Sequence, residues 1–277
     1  MNPKSPPSWL AASALGLIFA TAPSIAGAAL LLHYSFDSDT GAAGSSAVNQ
    51  AGADGTYVAG TSGGTIAIVP STIGALFGSA LSLTPNADGD SDLTAPHINT
   101  GGSASAFGID PAAGTSYTAM AWVNFANQTT DNMIFGQESA GEGVLHLGSR
   151  GDQYWSGHWG DDLENAGLTS PGDWLHVAFT NDGATGSQEI FVNGVSIAGP
   201  GADANTALLV PTKDLLIGTS GNGGSFSGLI DEVKIFDTQL SQAEIVAASV
   251  IPEPTAISLA VGVLGIAAIL RRRRRQA

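Results

Sequence analysis

Short apolar runs separated by turn-forming residues fill the sequence between residues 29 and 249. In runs such as "SYTAMAWVNFA" and "DWLHVAFTN", apolar side chains recur at every second position, the period of a strand with one buried face. Glycine makes up 37 of the 277 residues, nearly twice its average share of about 7%, which suits many tight turns. Ten such runs follow one another, so the sequence predicts an all-β fold, an antiparallel two-sheet sandwich or jelly roll.

Two local signals refine this prediction. Asn193 and Gly194 stand between two apolar runs and accept the positive φ angles of a type I′ turn, which predicts a two-residue hairpin. Ser241 is followed three residues later by Glu244, the pattern of a capping box, which predicts a short helix. The sequence therefore predicts one β domain that carries a single helix near its C-terminal end.

The charge of the chain is concentrated in the same region. Residues 29–252 contain 23 of the 24 acidic residues but only three of the nine basic ones, which gives them a formal charge of −20. Such a surface repels nucleic acids and anionic lipids, so neither is expected as a partner of this body. It attracts cations, notably Ca²⁺, which prefers carboxylate and carbonyl oxygens. A body of this size can bury a core without disulfides, in keeping with the absence of cysteine.

The N-terminus has the composition of a secretory signal peptide. Lys4 is the only charged residue before residue 37, and an apolar run follows from Trp9. Ala26 and Ala28 then form an A-x-A cleavage pattern, which predicts removal of residues 1–28. The alternative is an uncleaved anchor helix, but the apolar run is short for a membrane span. We therefore expect an exported protein.

The C-terminus, residues 250–277, has three parts in a fixed order. A Pro-Glu-Pro motif precedes an uncharged apolar segment, residues 255–270, and five arginines follow. The segment is slightly shorter than the roughly 20 residues that span a bilayer, and an arginine cluster stays on the cytoplasmic side. We predict a transmembrane helix over this segment. The residues of the two flanking motifs are Pro252, Glu253, Pro254, Arg271, Arg272, Arg273, Arg274 and Arg275.

This three-part arrangement resembles a PEP-CTERM sorting signal. The resemblance implies recognition and cleavage by an exosortase near the Pro-Glu-Pro motif, in a Gram-negative bacterium that makes exopolysaccharide. The chain would pause at the inner membrane and then reach the cell surface or the extracellular matrix. The sequence leaves open whether the tail is cleaved or retained.

The body resembles a second family. The order of "DWLHVAFTNDG", "EIFVNGVSI", "LLIGT" and "FSGLIDEVKIFDTQLSQAEI" is similar to that of the laminin-G-like, concanavalin A-like superfamily, which includes the pentraxins. "LLHYSFD" and "SALSLTPNADGDSDLTAP" fit the first strands of that superfamily. The resemblance implies a single domain over residues 29–249, with two antiparallel sheets, one of them concave. Activities in the superfamily range from glycan binding and adhesion to glycan hydrolysis, so the fold does not decide the function.

No catalytic motif accompanies this resemblance. Glucanases of the superfamily carry E-x-D-x-x-E on one strand, which places a nucleophile and a general acid on one face, and no E-x-D occurs here. The nearest pair is Asp231 and Glu232, and adjacent strand residues are expected to point to opposite faces. The five histidines lack zinc-binding spacing, and there is no cysteine nucleophile. We therefore expect that the protein is not an enzyme.

Two carboxylates are candidates for a Ca²⁺ site. The resemblance to the concanavalin A-like superfamily implies that Asp37, after the first strand, and Asp231, in the last strand, meet at a Ca²⁺-binding junction. The alternative is that Asp231 only hydrogen-bonds a loop. A further acidic segment, residues 88–92, fails the EF-hand template and is interpreted as a solvated turn.

The stretch "GVLHLGSRGDQYWSGHWGDDL" concentrates the kinds of side chain that bind sugars. Aromatic rings stack on the apolar faces of sugar rings, while polar groups orient the hydroxyls. Tyr154 and His158 share one face of the second predicted strand, and Trp155 and Trp159 share the other. Because large aromatics dominate sandwich cores, we expect the tryptophan face to be the core face, with Trp159 kept among the ligand candidates. The candidate glycan-binding residues are His146, Arg150, Tyr154, His158, Trp159 and Asp161.

Together these features predict an exported surface or matrix protein with a non-catalytic carbohydrate-binding or adhesion domain. Two alternatives stay open, a structural matrix component without a specific ligand and a glycan-active enzyme. The expected partners are an exosortase, a glycan or exopolysaccharide and, transiently, the inner membrane. Ca²⁺ is the sole candidate cofactor.

Overall fold

The structure is a computed structural model of the chain. The predicted signal peptide before residue 25, the acidic segment 88–92 and the predicted tail after residue 250 lie outside the residues it describes. Among the described residues, none of the helices is long and apolar enough to cross a membrane. The described residues are 25, 27–61, 63–74, 77–85, 93–110, 113–127, 131–139, 145–160, 162–166, 171–202, 212–221 and 223–250.

Over the described residues the regular structure is almost entirely β-strand, with one short 3₁₀ turn and one α-helix. In chain order these are β1 (Leu30–Tyr34), β2 (Ser46–Ala47), β3 (Gly55–Val58), β4 (Thr65–Pro70), β5 (Ser79–Thr84), β6 (His97–Ser103), the 3₁₀ turn (Ser105–Phe107), β7 (Tyr117–Phe125), β8 (Asn132–Gln137), β9 (His146–Arg150), β10 (Gln153–Gly157), β11 (Leu163–Ala166), β12 (Trp174–Asp182), β13 (Ser187–Val192), β14 (Val195–Ala202), β15 (Asp214–Ile217), β16 (Gly228–Phe236) and α1 (Gln242–Ser249).

The strands pair into two antiparallel sheets of eight strands each. In the first, called sheet A, the order is β14-β13-β12-β7-β16-β5-β4, and β1 also pairs with β16. In the second, called sheet B, the order is β11-β10-β9-β8-β15-β6-β3-β2. The chain crosses repeatedly from one sheet to the other, as in a jelly roll. The predicted all-β sandwich is confirmed, and every one of the ten predicted runs coincides with an observed strand or hairpin.

Alternation along each strand fills the space between the sheets with apolar side chains. On β7, every second residue from Tyr117 to Phe125 lies in this core, and the residues between them face outward. The outward positions of sheet A form a second apolar cluster with the helix. Core residues from both sheets include Leu81, Ala119, Ala121, Val123, Leu147, Tyr154, Val177, Phe179, Ile217, Ile230, Val233 and Ile235.

Helix α1 packs on part of the outer face of sheet A. Its N-terminus has the predicted capping box, in which Ser241 Oγ accepts a bond from Glu244 N and the Glu244 carboxylate accepts one from Ser241 N. Ile245 and Ala248 of the helix pack against Phe236 and neighbouring outward residues of sheet A. At the C-terminal end of the helix, the Trp122 indole and the Lys234 ammonium donate to the last backbone carbonyls. The chain therefore leaves the domain at residue 250 on the outer side of sheet A.

The predicted hairpin is also confirmed. Asn193 and Gly194 join β13 to β14 with φ angles of 50° and 76°, as a type I′ turn requires. The Asn193 side chain also accepts a hydrogen bond from His176 N, which ties the turn to β12. The residue type at this turn therefore sets both the hairpin and its attachment to sheet A.

Gly228 is the glycine whose replacement we expect to be most damaging. It begins β16 at a φ of 139°, and a Cβ atom there would lie 2.1 Å from the Asn124 carbonyl oxygen of the neighbouring β7. Gly228→Ala should therefore lower the free energy of unfolding by at least about 2 kcal/mol, because the new methyl group must displace a central strand. Gly151→Ala is the control, because Gly151 also has a positive φ but has open space around its Cβ position. Urea unfolding measures both, and equal effects would contradict the prediction.

Candidate functional site

The hairpin of β9 and β10 lies near one edge of sheet B, and its pairing decides which side chains face outward. Tyr154 pairs with Ser149, and Trp155 pairs with Gly148. Leu147 and Tyr154 belong to the core between the sheets. Alternation therefore places Trp155 on the outer face of sheet B, together with His146 and Arg150 of β9.

Four outward side chains of this hairpin stack on one another. The Arg150 guanidinium lies 3.7 Å from the centre of the Trp155 ring and 5.1 Å from that of Trp159. The two indole rings meet edge to face at 4.8 Å, and the His146 ring centre is 4.2 Å from that of Trp155. Both geometries are favourable aromatic and cation–π arrangements. We call His146, Arg150, Trp155 and Trp159 the tryptophan–arginine patch.

Carboxylates surround the patch and neutralise its cation. Asp131 Oδ2 lies 3.2 Å from Arg150 Nε, and both side chains are partly exposed. Asp162 Oδ1 lies 3.2 Å from His146 Nε2. Glu164, the register partner of Trp155 on β11, is exposed on the same face. The local charge is therefore negative around a guanidinium that already has a counterion.

The two tryptophans of the patch differ in exposure. Trp155 is 1% exposed, and its Nε1 is buried without a hydrogen-bond partner among the described residues. Trp159 is half-buried and has a φ of 42°, a conformation uncommon for a bulky residue. Trp155 therefore forms the base of the patch, and Trp159 is the ring that solvent or a ligand reaches.

The structure separates the predicted ligand residues into two groups. His146, Arg150 and Trp159 come together in the patch, where His146 is 1% exposed beneath the other two, whereas Tyr154 and His158 are 2% and 0% exposed on the inner side. His158 Nε2 lies 2.7 Å from the Tyr117 hydroxyl, inside the sandwich. Tyr154 and His158 therefore cannot reach a ligand, and the expectation that the tryptophan face is the core face is wrong. Asp161 lies outside the described residues.

The second predicted site, at Asp37 and Asp231, lies where β16 contains a bulge. The register of β16 against β7 shifts between Asp231 and Lys234, and Glu232 has a φ of 52°. The extra residue changes the alternation, so the carboxyl groups of Asp231 and Glu232 both lie on the outer side of sheet A. Asp231 is paired there with Trp122, and Glu232 contacts Lys234. The expectation that Asp231 and Glu232 point to opposite faces is therefore wrong.

Asp231 is a buried carboxyl group with an unused oxygen. It is 0% exposed; Oδ1 accepts a bond from Glu232 N at 2.8 Å, and Oδ2 has no hydrogen-bond partner among the described residues. Burial raises its pKa to about 8, the nearby Ser71 hydroxyl acts to lower that pKa, and the Glu232 charge raises it further. The raised pKa therefore favours the protonated form of Asp231 at neutral pH when no cation lies beside it.

Asp37 lies close enough to Asp231 for its charge to raise the pKa of that carboxyl. Its Oδ1 accepts a hydrogen bond from Ser79 N at 2.7 Å, and burial raises its own pKa. The end of the β4–β5 hairpin closes this junction, because Ser71 N donates to the Gly78 carbonyl. Among the described residues, no three acidic or histidine side chains gather into a complete metal site. Any cation here would need hydroxyl, carbonyl or water oxygens besides these two carboxylates.

Glu232 forms a buried ion network beside this junction. Its Oε2 lies 3.0 Å from His33 Nε2 and 2.5 Å from Lys234 Nζ, and Lys234 Nζ also donates to the Ala248 carbonyl at 3.1 Å. Burial acts to raise the pKa of Glu232, but the His33 hydrogen bond and the Lys234 charge outweigh it and lower the pKa. The network therefore joins β1 and β16 to the end of α1 and holds Glu232 ionised.

Lys234 is expected to contribute strongly to stability. Lys234→Met should lower the free energy of unfolding by about 3–5 kcal/mol at pH 7, because it leaves the buried Glu232 charge with one partner fewer. The double variant Lys234→Met/Glu232→Gln should recover part of that loss, since the uncompensated charge is then gone. Urea unfolding of the single and double variants measures the coupling. A double variant less stable than Lys234→Met would contradict this account.

Comparison with known families agrees with the fold. Residues 96–246, from β6 into α1, match the laminin-G family model described as the concanavalin A-like lectin/glucanases superfamily. The chain belongs to this superfamily. The matched region contains the whole tryptophan–arginine patch, Asp231, Glu232 and Lys234, but it does not include Asp37, His33 or Ala248. The resemblance inferred from the sequence motifs of the body is therefore confirmed.

Solved structures related to this superfamily member share its fold. Domain 4 of AbnA, an extracellular arabinanase of Geobacillus stearothermophilus solved with arabinotriose, is 22% identical, with a TM-score of 0.56 over 80% of this chain and 98% of that domain. A mutant Trypanosoma rangeli sialidase with trans-sialidase activity is 16% identical, with a TM-score of 0.52 over 79% of this chain and 32% of the sialidase. At these identities the likeness shows the fold alone. A search of curated proteins finds no match.

The concanavalin A-like fold is shared by glycosidases and by non-catalytic binding domains. Membership of the superfamily therefore does not decide between binding and catalysis, and the side chains of the site must be considered. The sequence motifs did not predict two features of the sites: the bulge at Glu232, and which face of β10 points into the core. The inward face of β10 could have been inferred from β9, its hairpin partner, because the apolar Leu147 of β9 is expected to point inward and the charged Arg150 outward.

Proposed function

We propose that this protein is an exported, non-catalytic glycan-binding protein and that the tryptophan–arginine patch is its binding surface. The observation that carries the proposal is the stack of Arg150 between aromatic rings on the outer face of sheet B. The outer face of sheet A, by contrast, is partly covered by α1. The patch is thus a pre-formed aromatic surface on the face of the sandwich away from the helix.

The chemistry of the patch suits a sugar ring. The half-buried Trp159 indole offers an apolar face on which the C–H face of a sugar stacks. Arg150 is held in position by Trp155 and Asp131, so its remaining N–H groups and the oxygens of Asp131 and Glu164 are placed to bind sugar hydroxyls. A pre-positioned set of donors and acceptors loses little conformational entropy when a ligand binds.

The charge around the patch favours neutral glycans. Arg150 is already paired with Asp131, and Asp162 and Glu164 add negative charge to the same face. The body as a whole has a formal charge of −20, which repels polyuronates and other anionic chains. We therefore propose a neutral, hydroxyl-rich glycan as the ligand class.

Catalysis is not part of this proposal. Asp231 and Glu232, the carboxyl pair most similar in sequence to a glucanase motif, are 0% and 6% exposed, so a polymeric substrate does not reach them. Glu232 is also held in ion pairs with His33 and Lys234. The superfamily contains non-catalytic binding domains, so a binding role does not require a catalytic group.

We propose Ca²⁺ as the cation of the Asp37–Asp231 junction. The unused Oδ2 of Asp231 and the raised pKa of this buried group fit a carboxylate that gains a cation in the folded state. Asp37 and Asp231 would hold the ion, with the Ser71 hydroxyl beside them. When bound, Ca²⁺ neutralises the two carboxylates and clamps the first and last strands of the domain together.

The signal peptide and the PEP-CTERM-like tail place the domain outside the cell in this proposal. An exosortase of a Gram-negative bacterium would act on the tail at the inner membrane, and the domain would then reach the cell surface or the extracellular matrix. The exit point at residue 250 supports this arrangement, because it lies on the side of the sandwich opposite the patch. A tethered domain would keep its glycan-binding face away from the membrane.

The test of the binding function is a glycan array probed with the secreted protein, in Ca²⁺ and in chelator. We expect neutral oligosaccharides to be retained and polyuronates to be excluded. Retention of no glycan under either condition would favour a structural matrix role instead. Release of a shortened oligosaccharide during incubation would revive the enzymatic alternative.

The proposed cleavage of the C-terminal tail leads to a separate prediction. If the tail is a sorting signal, the extracellular protein should lack the five arginines from Arg271 to Arg275, because cleavage occurs near the Pro-Glu-Pro motif. Mass spectrometry of C-terminal peptides from the extracellular protein measures this. Recovery of an intact "RRRRRQA" peptide would instead indicate a permanent anchor.

A further inference from the structure

Ala29, the residue after the predicted cleavage point, is bound at both of its backbone polar groups by a single residue, Asp237. Ala29 N donates to Asp237 Oδ1 at 2.7 Å, and the Ala29 carbonyl accepts from Asp237 N at 3.1 Å. Strand β1 begins at the next residue, where Leu30 pairs with Phe236. The first residue of the predicted mature chain is therefore hydrogen-bonded to the end of β16 directly before strand β1 begins.

Removal of the signal peptide changes the chemistry of this contact. A leader peptidase hydrolyses the Ala28–Ala29 bond with water, so that the Ala28 carbonyl carbon gains a hydroxyl group and the Ala29 nitrogen becomes a free amine. Near neutral pH that amine binds a further proton, since an unperturbed α-amino group has a pKa of about 7.7–8.0. A neutral amide N–H that donates one hydrogen bond to the Asp237 carboxylate thus becomes an ammonium group beside that carboxylate.

We propose that Asp237 is the binding site for the mature N-terminal ammonium group of this protein. The 2.7 Å distance from Ala29 N to Asp237 Oδ1 is already that of a charge-assisted hydrogen bond. Asp237 follows β16 directly and lies apart from the patch and from the Asp37–Asp231 junction, so the proposal is independent of glycan and Ca²⁺ binding. It rests on the predicted cleavage after Ala28.

Cleavage also removes apolar contacts of the leader with sheet A, and the ion pair between Ala29 and Asp237 compensates for part of this loss. Ile25 and Ala28 of the leader pack against the second apolar cluster of sheet A, beside Phe236 and Leu240. These contacts leave with the signal peptide, and the start of β1 would then be held by the contacts of Ala29 with Asp237 and by the pairing of Leu30 with Phe236. The ion pair with Asp237 fixes that end of β1 at the moment when the leader is lost.

The pH dependence of the ion pair follows from the direction in which Asp237 shifts the pKa of the α-ammonium group. A carboxylate partner raises the folded-state pKa of the α-ammonium above its unfolded value. The contribution to stability is therefore fully present below about pH 7.7 and is lost as the pH rises through the raised folded-state pKa. Both groups are exposed, so the effect on the melting temperature is small and the coupling between changes is the informative quantity.

The test uses the full chain, exported and processed by the cell, with its N-terminus identified by mass spectrometry. One variant is Asp237→Asn, which keeps an oxygen acceptor but removes the charge. The other inserts Gly-Ser between Ala28 and Ala29, so that Ala29 keeps a neutral amide nitrogen after cleavage. The double variant completes the cycle.

We expect a mature N-terminus at Ala29 and a fall of about 1–3 °C in melting temperature for Asp237→Asn at pH 7. In the Gly-Ser background the same substitution should have a clearly smaller effect, and the difference should vanish at pH 10. An N-terminus elsewhere would overturn the proposal. So would equal effects of Asp237→Asn in both backgrounds, because the pair would then be an ordinary neutral hydrogen bond.

Discussion

Trp159→Ala is expected to weaken glycan binding by at least about tenfold, the effect of losing a central aromatic anchor worth about 1.4 kcal/mol or more. The physical reason is that Trp159 is the accessible ring of the patch, whereas Trp155 beneath it is almost fully buried. The stability of the variant should change little, since a half-buried side chain at the end of a hairpin contributes less than a core residue. Affinity for an immobilised neutral glycan measures the loss.

The matched control for this prediction is Trp174→Ala. Trp174 is also half-buried, but it lies on the outer face of sheet A, where its Nε1 donates to Thr72 Oγ1 at 2.8 Å. The same chemical change on the other sheet should leave glycan affinity within about twofold of the original protein. Equal losses for Trp159→Ala and Trp174→Ala would mean that the patch is not the binding surface.

Ca²⁺ is expected to raise the melting temperature by roughly 5–10 °C when its concentration is a hundred times the Kd. Binding to the folded state alone contributes about 2.7 kcal/mol under that condition, and a domain of this size shifts by about 2–4 °C per kcal/mol. Equal Mg²⁺ should give a much smaller shift, because Mg²⁺ demands a more rigid octahedral site. General screening of so acidic a body stabilises it with either ion, so the difference between the ions is the measured quantity.

The effect of pH on this shift is specific to Asp231. Its folded-state pKa is raised to about 8, so without Ca²⁺ the folded chain binds a proton more tightly than the unfolded chain. That contribution is present at acidic pH and is lost as the pH rises from about 4 to about 8. The shift produced by Ca²⁺ should therefore grow between pH 5 and pH 8, because the ion no longer competes with a proton.

Asp231→Asn should abolish the Ca²⁺ response and leave the metal-free protein as stable as before, or more stable, at pH 8. The amide removes a buried charge but keeps an oxygen acceptor for Glu232 N. Asp90→Asn, in the acidic segment outside the described residues, is the control and should preserve the response. Loss of the response through Asp90 alone would move the cation to that segment, and equal shifts with both ions would leave only screening.

Local chemistry made several parts of the fold predictable from the sequence. The Asn193–Gly194 turn and the Ser241–Glu244 capping box depend on residues only a few positions apart, and both were predicted correctly. Strands β2, β3, β4, β6 and β11 were not predicted, and for β6 and β11 the reason is that their sequences, "HINTGGS" and "LENA", have little apolar alternation. Their pairing partners in sheet B define them instead, and a partner strand is not visible in a local pattern.

The site was less predictable, for two physical reasons. Alternation shows that Trp155 and Trp159 share a face, but the inner side was decided by long-range contacts such as that between Tyr117 and His158. The bulge at Glu232 likewise arises where β16 pairs with both β1 and β7. The proximity of Asp37 and Asp231, nearly two hundred residues apart, was expected only from the resemblance to the concanavalin A-like superfamily.

The most direct test of the central claim is an NMR titration that follows the indole N–H signals of the secreted protein. Four tryptophans remain after signal-peptide removal, two in the patch and two, Trp122 and Trp174, on sheet A. Titration with neutral oligosaccharides should shift the Trp155 and Trp159 signals and leave the other two in place. Binding that shifts only Trp122 or Trp174, or that leaves all four signals unchanged, would contradict the assignment of the patch as the glycan-binding surface.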